Sequence, residues 1–260
     1  MGVKFEKYHG TGNDFILIDG RAADFRRPGN DVIKRLCDRR FGIGGDGLII
    51  IQSSSKADFA MKYYNSDGQE GTMCGNGGRC AAAYCSKLGL TGGKARFESN
   101  DGIHLAELIA PDYVRLHMQD VVSVSEYPDH FELDTGSPHY VMFVNEVNDL
   151  DIHRMGSEIR NSVPYKASGI NVNFVSDYRD GIFVRTYERG VEAETWSCGT
   201  GVVASAICAA IRTKSDKYAY PVYTLGGKLE LTFYRKPDGR FTDIILAGPA
   251  EFVFEGTIEI

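Results

Sequence analysis

Two cysteines in this chain share one chemical setting. Met73-Cys74-Gly75-Asn76-Gly77 returns later as Ser197-Cys198-Gly199-Thr200-Gly201. A small-residue run follows each, Arg79-Cys80-Ala81-Ala82-Ala83-Tyr84-Cys85 in one copy and Val202-Val203-Ala204-Ser205-Ala206-Ile207-Cys208 in the other. Such runs predict tightly buried helices, so each Cys-Gly-x-Gly turn is a candidate helix N-terminus with a cysteine at its mouth. The unpaired backbone N–H groups of a helix start suit a carboxylate. Its positive end favours a thiolate by about 0.3–1 kcal/mol, and up to ~2 when partly buried. At about 1.36 kcal/mol per pKa unit, two such ends facing one another across a cleft would bring a thiol from about 8.5 towards neutrality. Two thiolates that close repel, so the resting pair would be one thiolate and one thiol. A base on one face and an acid on the other invert a stereocentre. The α-carbon of an amino acid fits, because its bound carboxylate is both the handle and the group over which charge spreads. This chemistry asks for no cofactor: metal, flavin and nicotinamide are not required, and the cysteine pair makes pyridoxal phosphate redundant.

The other four cysteines, Cys37, Cys80, Cys85 and Cys208, fall on apolar helical faces and read as core. No CxxC pair occurs, and spacings of 74, 80 and 85 are not those of a zinc motif, so no metal site is expected. A net charge of -6 argues against a non-specific nucleic-acid partner. The dense basic run from Arg35 to Arg40 reads as the solvated face of a helix. No apolar run approaches the ~20 residues of a membrane span and the start lacks a signal-peptide core, which places the chain in the cytoplasm with its cysteines as thiols. A homodimer is left open. Gly42-Ile43-Gly44-Gly45-Asp46-Gly47 matches the dinucleotide fingerprint in letters only. A helix precedes it and the β-rich Leu48 to Ile51 follows, the reverse of what that site needs.

The elements that must position the cysteines are laid out twice. Val3 to Tyr8 and Phe15 to Ile18 predict strands around a polar turn from His9 to Asp14. A helix capped by Asn30 or Asp31 then runs to Arg40, Phe59 to Tyr64 is a strand, and the first cysteine helix closes at Gly89. Strands over Ala95 to Leu108 and Tyr113 to Met118 complete the first copy. From about Gln119 the order restarts: Phe131 to Val144 as strand, turn and strand, Leu150 to Arg160 as helix, Gly169 to Val175 and Ile182 to Tyr187 as strands, then Cys198. The tail from Thr224 is strand-rich around a turn at Lys236 to Arg240, and its last strand, Glu251 to Ile260, fits either copy. Trp196 reads as packing against its own lobe, and His9 as a turn residue. The fold class is α+β, with two pseudo-symmetric lobes: 1–118 with about 250–260 around Cys74, and 119–249 around Cys198.

At these residues the sequence resembles the diaminopimelate epimerase family. The matches are His9-Gly10-Thr11-Gly12-Asn13-Asp14-Phe15, Gly42-Ile43-Gly44 with Asp46, Asn65 with Asp67-Gly68, Met73 to Gly77, Asn171-Val172-Asn173-Phe174, Glu188-Arg189-Gly190 and Cys198 to Gly201. The resemblance implies a pyridoxal-independent enzyme that interconverts LL- and meso-2,6-diaminopimelate for lysine and peptidoglycan synthesis. It implies that each lobe is a mixed sheet curled around a central helix, with the last strand returning to the first lobe and the active site in the cleft between them. Cys74 and Cys198 would be the acid/base pair, and the backbones of Gly75, Asn76, Gly199 and Thr200 would hold the reacting carboxylate. Asn13, Asn65, Asn171 and Arg189 would contact the substrate, with Arg189 and the asparagines at its distal end. Glu188 and His139 would bind or polarise the reacting amino group. Ser137 stands where the family usually has Asn before Pro-His, and Ser162 to Ser168 lacks the usual Pro-Glu-Gly approach to Asn171. A proline- or hydroxyproline-type racemase and a non-catalytic amino-acid-binding protein are the competing readings.

Overall fold

The computed structural model describes residues 2–214 and 219–259. The chain forms two compact units, Met1–Leu116 with Gly248–Ile260, and His117–Ala247. The first opens with a hairpin of β1 (Gly2–Gly10) and β2 (Asn13–Asp19), in which Gly10 pairs with Asn13. Only Thr11 and Gly12 lie outside the ladder, both at positive φ, 50° and 82°, as a tight two-residue hairpin demands. The expected six-residue turn is therefore corrected to two. His9 belongs to β1, and Asn13 and Asp14 are held in register on β2.

Helix α1 (Asn30–Cys37) starts at Gly29 without a side-chain cap and stops short of Arg40, contrary to expectation. The glycine run explains the stop. The N–H groups of Ile43 and Gly44 bond to the Leu36 carbonyl at 2.9 and 3.0 Å, and that of Gly45 bonds to Cys37 at 3.0 Å. A Cβ on Gly42 would sit 2.0 Å from the Arg35 carbonyl oxygen. These glycines let the chain fold back to satisfy the last carbonyls of α1, and then lead into β3 (Gly47–Gln52). The fingerprint-like letters are thus a helix stop.

β4 (Phe59–Asn65), α2 (Gly75–Lys87), β5 (Lys94–Ser99), β6 (Gly102–Ala110) and β7 (Tyr113–His117) follow. β2 and β3 pair in parallel across α1, β4 and β5 in parallel across α2, and the other neighbours are antiparallel. Helical crossovers are what parallel neighbours require. α2 is buried from Gly75 to Cys85 and touches β1 to β4 and β6, so the sheet curls around it.

The second unit repeats the pattern. Its elements are β8 (Val124–Glu126), β9 (Phe131–Asp134), β10 (Pro138–Phe143), α3 (Ile152–Arg160), β11 (Asn171–Tyr178), β12 (Gly181–Glu188), β13 (Ala193–Thr195), α4 (Gly199–Arg212), β14 (Ala219–Thr224), β15 (Gly227–Arg235) and β16 (Phe241–Pro249). β10 and β11 are parallel across α3, β12 and β14 are parallel across α4, and the remaining pairs are antiparallel. α4 lies in a core with Leu229, Leu231, Phe233, Phe241 and Leu246, side chains each stabilising by about 1.5–3 kcal/mol on full burial. The chain then returns to the first unit as β17 (Glu251–Glu259), which pairs with β1 as β8 pairs with β9; Ile260 lies outside the described residues. The α+β class with a central helix in each curled sheet is as the sequence leads one to expect. Trp196 is not: it is 60% exposed instead of packed. Among the described residues no helix is long and apolar enough to cross a membrane.

Candidate active site

Each of the two paired cysteines is the N-cap of the central helix of its unit. Cys74 has extended backbone (φ -98°, ψ 125°) before α2, and Cys198 has the same (φ -117°, ψ 109°) before α4. Their carbonyls accept the first helical bonds, from Gly78 at 2.7 Å and Val202 at 2.9 Å. The N–H groups of Gly75 and Asn76, and of Gly199 and Thr200, belong to the first turn, which has no intrahelical acceptors. The other four cysteines are buried. Burial pushes the Cys37 and Cys80 thiols up to about 12, and those of Cys85 and Cys208 well up too.

Around Cys74 the first unit builds a chain of polar bonds. The Cys74 thiol donates to Asn13 Oδ1 at 3.5 Å, and Asn76 Nδ2 donates to the same oxygen at 3.1 Å. Asn13 Nδ2 donates to Asp46 Oδ2 at 2.7 Å. Arg39 grips Asp14 through two bonds, 2.6 and 2.9 Å, and reaches Asp46 at 2.7 Å. The basic run is therefore not simply a solvated helix face: α1 has ended before Arg39, which folds over two carboxylates. The buried Lys7 ammonium lies 2.8 Å from Asp14 and also donates to the Gly44 carbonyl. Asn65, exposed at the end of β4 opposite Gly47, lies beside Gly71 and makes none of these bonds.

Burial raises the Asp14 pKa, but hydrogen bonds from Arg39 and Lys7 outweigh it and bring the carboxyl down to about 2. A depressed carboxyl stabilises the fold above its unfolded pKa of about 3.9, and the benefit is lost as pH falls through the folded value. Unfolding followed between pH 5 and 2 is expected to show roughly 2 kcal/mol disappearing in that window, and Asp14→Asn should flatten the loss. An unchanged acid profile in Asp14→Asn would show that the group does not carry it.

In the second unit Asn171 opens β11 beside His139. Its Nδ2 donates to Ser137 Oγ at 2.8 Å and the Pro138 carbonyl at 3.2 Å, while its Oδ1 accepts the Arg189 backbone N–H at 2.9 Å. The Arg189 guanidinium reaches the Ser168 carbonyl at 3.1 Å and Ser137 Oγ at 3.4 Å. Ser137 and the short 162–168 segment thus tie Asn171 and Arg189 together. Glu188 accepts from Thr195 of β13 at 2.8 Å, and Cys198 Sγ lies 3.5 Å from Thr200 Oγ1.

His139 is fully buried, and that burial, with Arg189 nearby, holds its pKa down at about 3. It is neutral at pH 7, and its tautomer follows from Asn173. Thr186 donates to Asn173 Oδ1 at 3.0 Å, so Asn173 Nδ2 faces the Tyr140 carbonyl and His139 Nδ1, each at 3.0 Å. Nδ1 is then the acceptor and Nε2 carries the proton. Among the described residues that buried Nε2 has no partner, and its N–H can serve an amine lone pair or a carboxylate oxygen.

The sequence alone does not single out Lys7, Arg39, Thr135, Asn173, Thr186 or Thr195 for the site. Asn173 carried a signal, an amide between Val172 and Phe174 in an apolar strand. Thr135 did not, because its bond to the Thr200 carbonyl (3.0 Å) joins residues far apart in sequence.

The sequence model of the family described as diaminopimelate epimerase matches residues 5–124 and 131–253. The chain is 46% identical over 257 residues to the diaminopimelate epimerase of Flavobacterium psychrophilum, covering 98% of this chain and all of that one. It is 40% identical to that of Chlorobaculum tepidum, covering 96% and 99%. Among solved structures it resembles a PhzF-family phenazine biosynthesis protein of Bacillus anthracis (TM-score 0.77, 15% identity, 100% of both chains). It also resembles a probable proline racemase of Agrobacterium radiobacter (TM-score 0.74, 12% identity, 99% and 93% covered). The last two likenesses speak for the fold alone. With both matched cysteines at helix N-caps and the family match running through nearly the whole sequence, the chain belongs to the diaminopimelate epimerase family.

Proposed function

We propose that this chain is an isomerase that interconverts LL- and meso-2,6-diaminopimelate without a cofactor, in lysine and peptidoglycan precursor synthesis. The observation that carries the reading is the duplicated N-cap cysteine, one on the central helix of each unit. Brought together on one substrate, the helix starts bind its carboxylate through the N–H groups of Gly75, Asn76, Gly199 and Thr200. One cysteine removes the α-proton as thiolate while the other delivers a proton to the opposite face as thiol. Negative charge that spreads into the carboxylate meets two positive helix ends, where it is stabilised. Asn13, Asn65, Asn171 and Arg189 are assigned to the rest of the substrate, and Glu188 with the Nε2–H of His139 to its reacting amine. The lobes are those of the two compact units, the enzyme acts in the cytoplasm on a small molecule, without nucleic-acid or membrane partners, and a homodimer is compatible with it.

LL-diaminopimelate incubated in D2O with reduced protein and no added cofactor is expected to gain α-deuterium and yield the meso isomer. No exchange from the wild-type protein would sink the proposal. L-proline in the same assay separates it from a proline-type racemase, for which proline would exchange and diaminopimelate would not.

A further inference from the structure

Arg79 lies in the second turn of α2 and is completely buried. Among the described residues no carboxylate pairs with it. Its Nη2 donates to Asn76 Oδ1 at 2.9 Å, its Nε donates to the Pro249 carbonyl at 3.3 Å, and its Nη1 has no partner among the described residues. An unpaired cation in a protein interior carries a heavy desolvation cost. Its place near a helix N-terminus adds to the cost, since the helix dipole there favours negative charge. Stability alone gives no reason for this side chain, and β1 makes room for it. A Cβ on Gly10 would come within 3.0 Å of Arg79 Nη2 and 3.3 Å of Asn76 Cβ.

What the guanidinium does is visible in its bonds. It can only donate, and the Asp46 carboxylate at the far end of the chain can only accept. Between them Asn76 must turn Oδ1 to Arg79 and Nδ2 to Asn13, and Asn13 must turn Nδ2 to Asp46. Any reversed amide would set donor against donor or acceptor against acceptor. The atom presented to Cys74 Sγ is therefore Asn13 Oδ1. We propose that Arg79 is a positioning residue for Cys74: its buried charge locks the Asn76 and Asn13 amides in one direction and supplies fixed positive charge at the anion-receiving end of α2. The inference deepens the function proposed above and rests on Cys74 being an acid/base group. The charged and titratable groups facing this end within the unit are Lys7 of β1, Asp14 of β2, Arg39 and Asp46 of the loop before β3, Cys80 of α2 and Tyr113 of β7. Arg79 is the cation among them without a carboxylate partner.

The test uses full-length Arg79→Met and Arg79→Lys. A structural role and a positioning role predict opposite things for the first. Removing an unpaired buried charge in favour of an apolar side chain of similar length should leave the denaturation midpoint unchanged or raise it, while kcat/KM for diaminopimelate falls by about tenfold or more. In a Cys198→Ser background, with modified peptides mapped by mass, alkylation of Cys74 should need a pH higher by about one unit in Arg79→Met. Arg79→Lys should recover part of that shift, because it keeps the charge and loses the fork. Lower stability in Arg79→Met with wild-type turnover per folded molecule and an unmoved alkylation profile would overturn the proposal. Should Arg79→Met not fold, wild-type kinetics and alkylation in Arg79→Lys would show that the fork positions nothing, whereas a loss in both would uphold it. The alkylation profile does not depend on which amino acid is the substrate, so it decides this point even if diaminopimelate is not turned over.

Discussion

Cys74→Ala and Cys198→Ala are each expected to lower conversion of LL- to meso-diaminopimelate by about 10⁴-fold, the upper end of what one positioned acid or base contributes. The loss should reach that size for inversion and be smaller for exchange. A protein that keeps one cysteine of the pair can still remove an α-proton from the face that cysteine addresses and return a deuteron to the same face. Each variant is therefore expected to wash deuterium into one stereoisomer without inverting it, and the two variants should favour opposite isomers. Chiral separation of the products with mass detection of deuterium reads both effects at once. The four remaining cysteines cannot substitute, since burial keeps their thiols protonated. Full activity in either alanine variant, or exchange of both isomers in the same variant, would rule out one cysteine per face. The matching serine variants are expected to lose nearly as much, because the pKa of a hydroxyl lies far above the working pH.

Much of this arrangement was legible because it is written twice. Local signals such as Cys-Gly-x-Gly before small residues and alternation in Val3 to Tyr8 name elements, and repetition fixes their order. The parallel pairs fall where helices intervene in both copies. What stayed hidden was set by contacts distant in sequence. Arg39 looked like solvated charge because its partners, Asp14 and Asp46, lie on β2 and in a loop. The polar turn after β1 looked long because its residues are small and polar, and only the ladder shows that His9 and Asn13 are strand residues. In sequence Arg79 reads as part of a helix and nothing more, since no sequence pattern tells a buried guanidinium from an exposed one. Cys-Gly-x-Gly also concealed a difference: the two motifs look alike in sequence, yet their surroundings are not interchangeable.

That difference gives the second large effect, at the glycine three residues after each cysteine. A Cβ on Gly201 would lie 2.4 Å from Asn173 Oδ1, and 3.4 Å from both Cβ and Sγ of Cys198. Asn173 cannot yield cheaply, because it is fully buried and its amide is bonded to Thr186, Tyr140 and His139. Turning it away leaves a buried polar group unpaired, at about 1–3 kcal/mol, and frees the His139 ring. Shifting the start of α4 instead moves Cys198, and a displacement of ~1 Å is enough to cost about 10²-fold in rate. Either route makes Gly201→Ala a poor enzyme, with roughly 2 kcal/mol less stability and turnover per folded molecule down about a hundredfold. At Gly77 the same methyl would meet Ile49 Cδ1 at 3.2 Å and Met61 Cε at 3.4 Å, the ends of flexible side chains. There the helix preference for Ala over Gly, about 1 kcal/mol, offsets the crowding, so Gly77→Ala should remain near wild type in stability. Denaturation curves and kcat for the pair check the contrast. Equal behaviour of the two variants would mean that Asn173 does not brace the Cys198 end of α4.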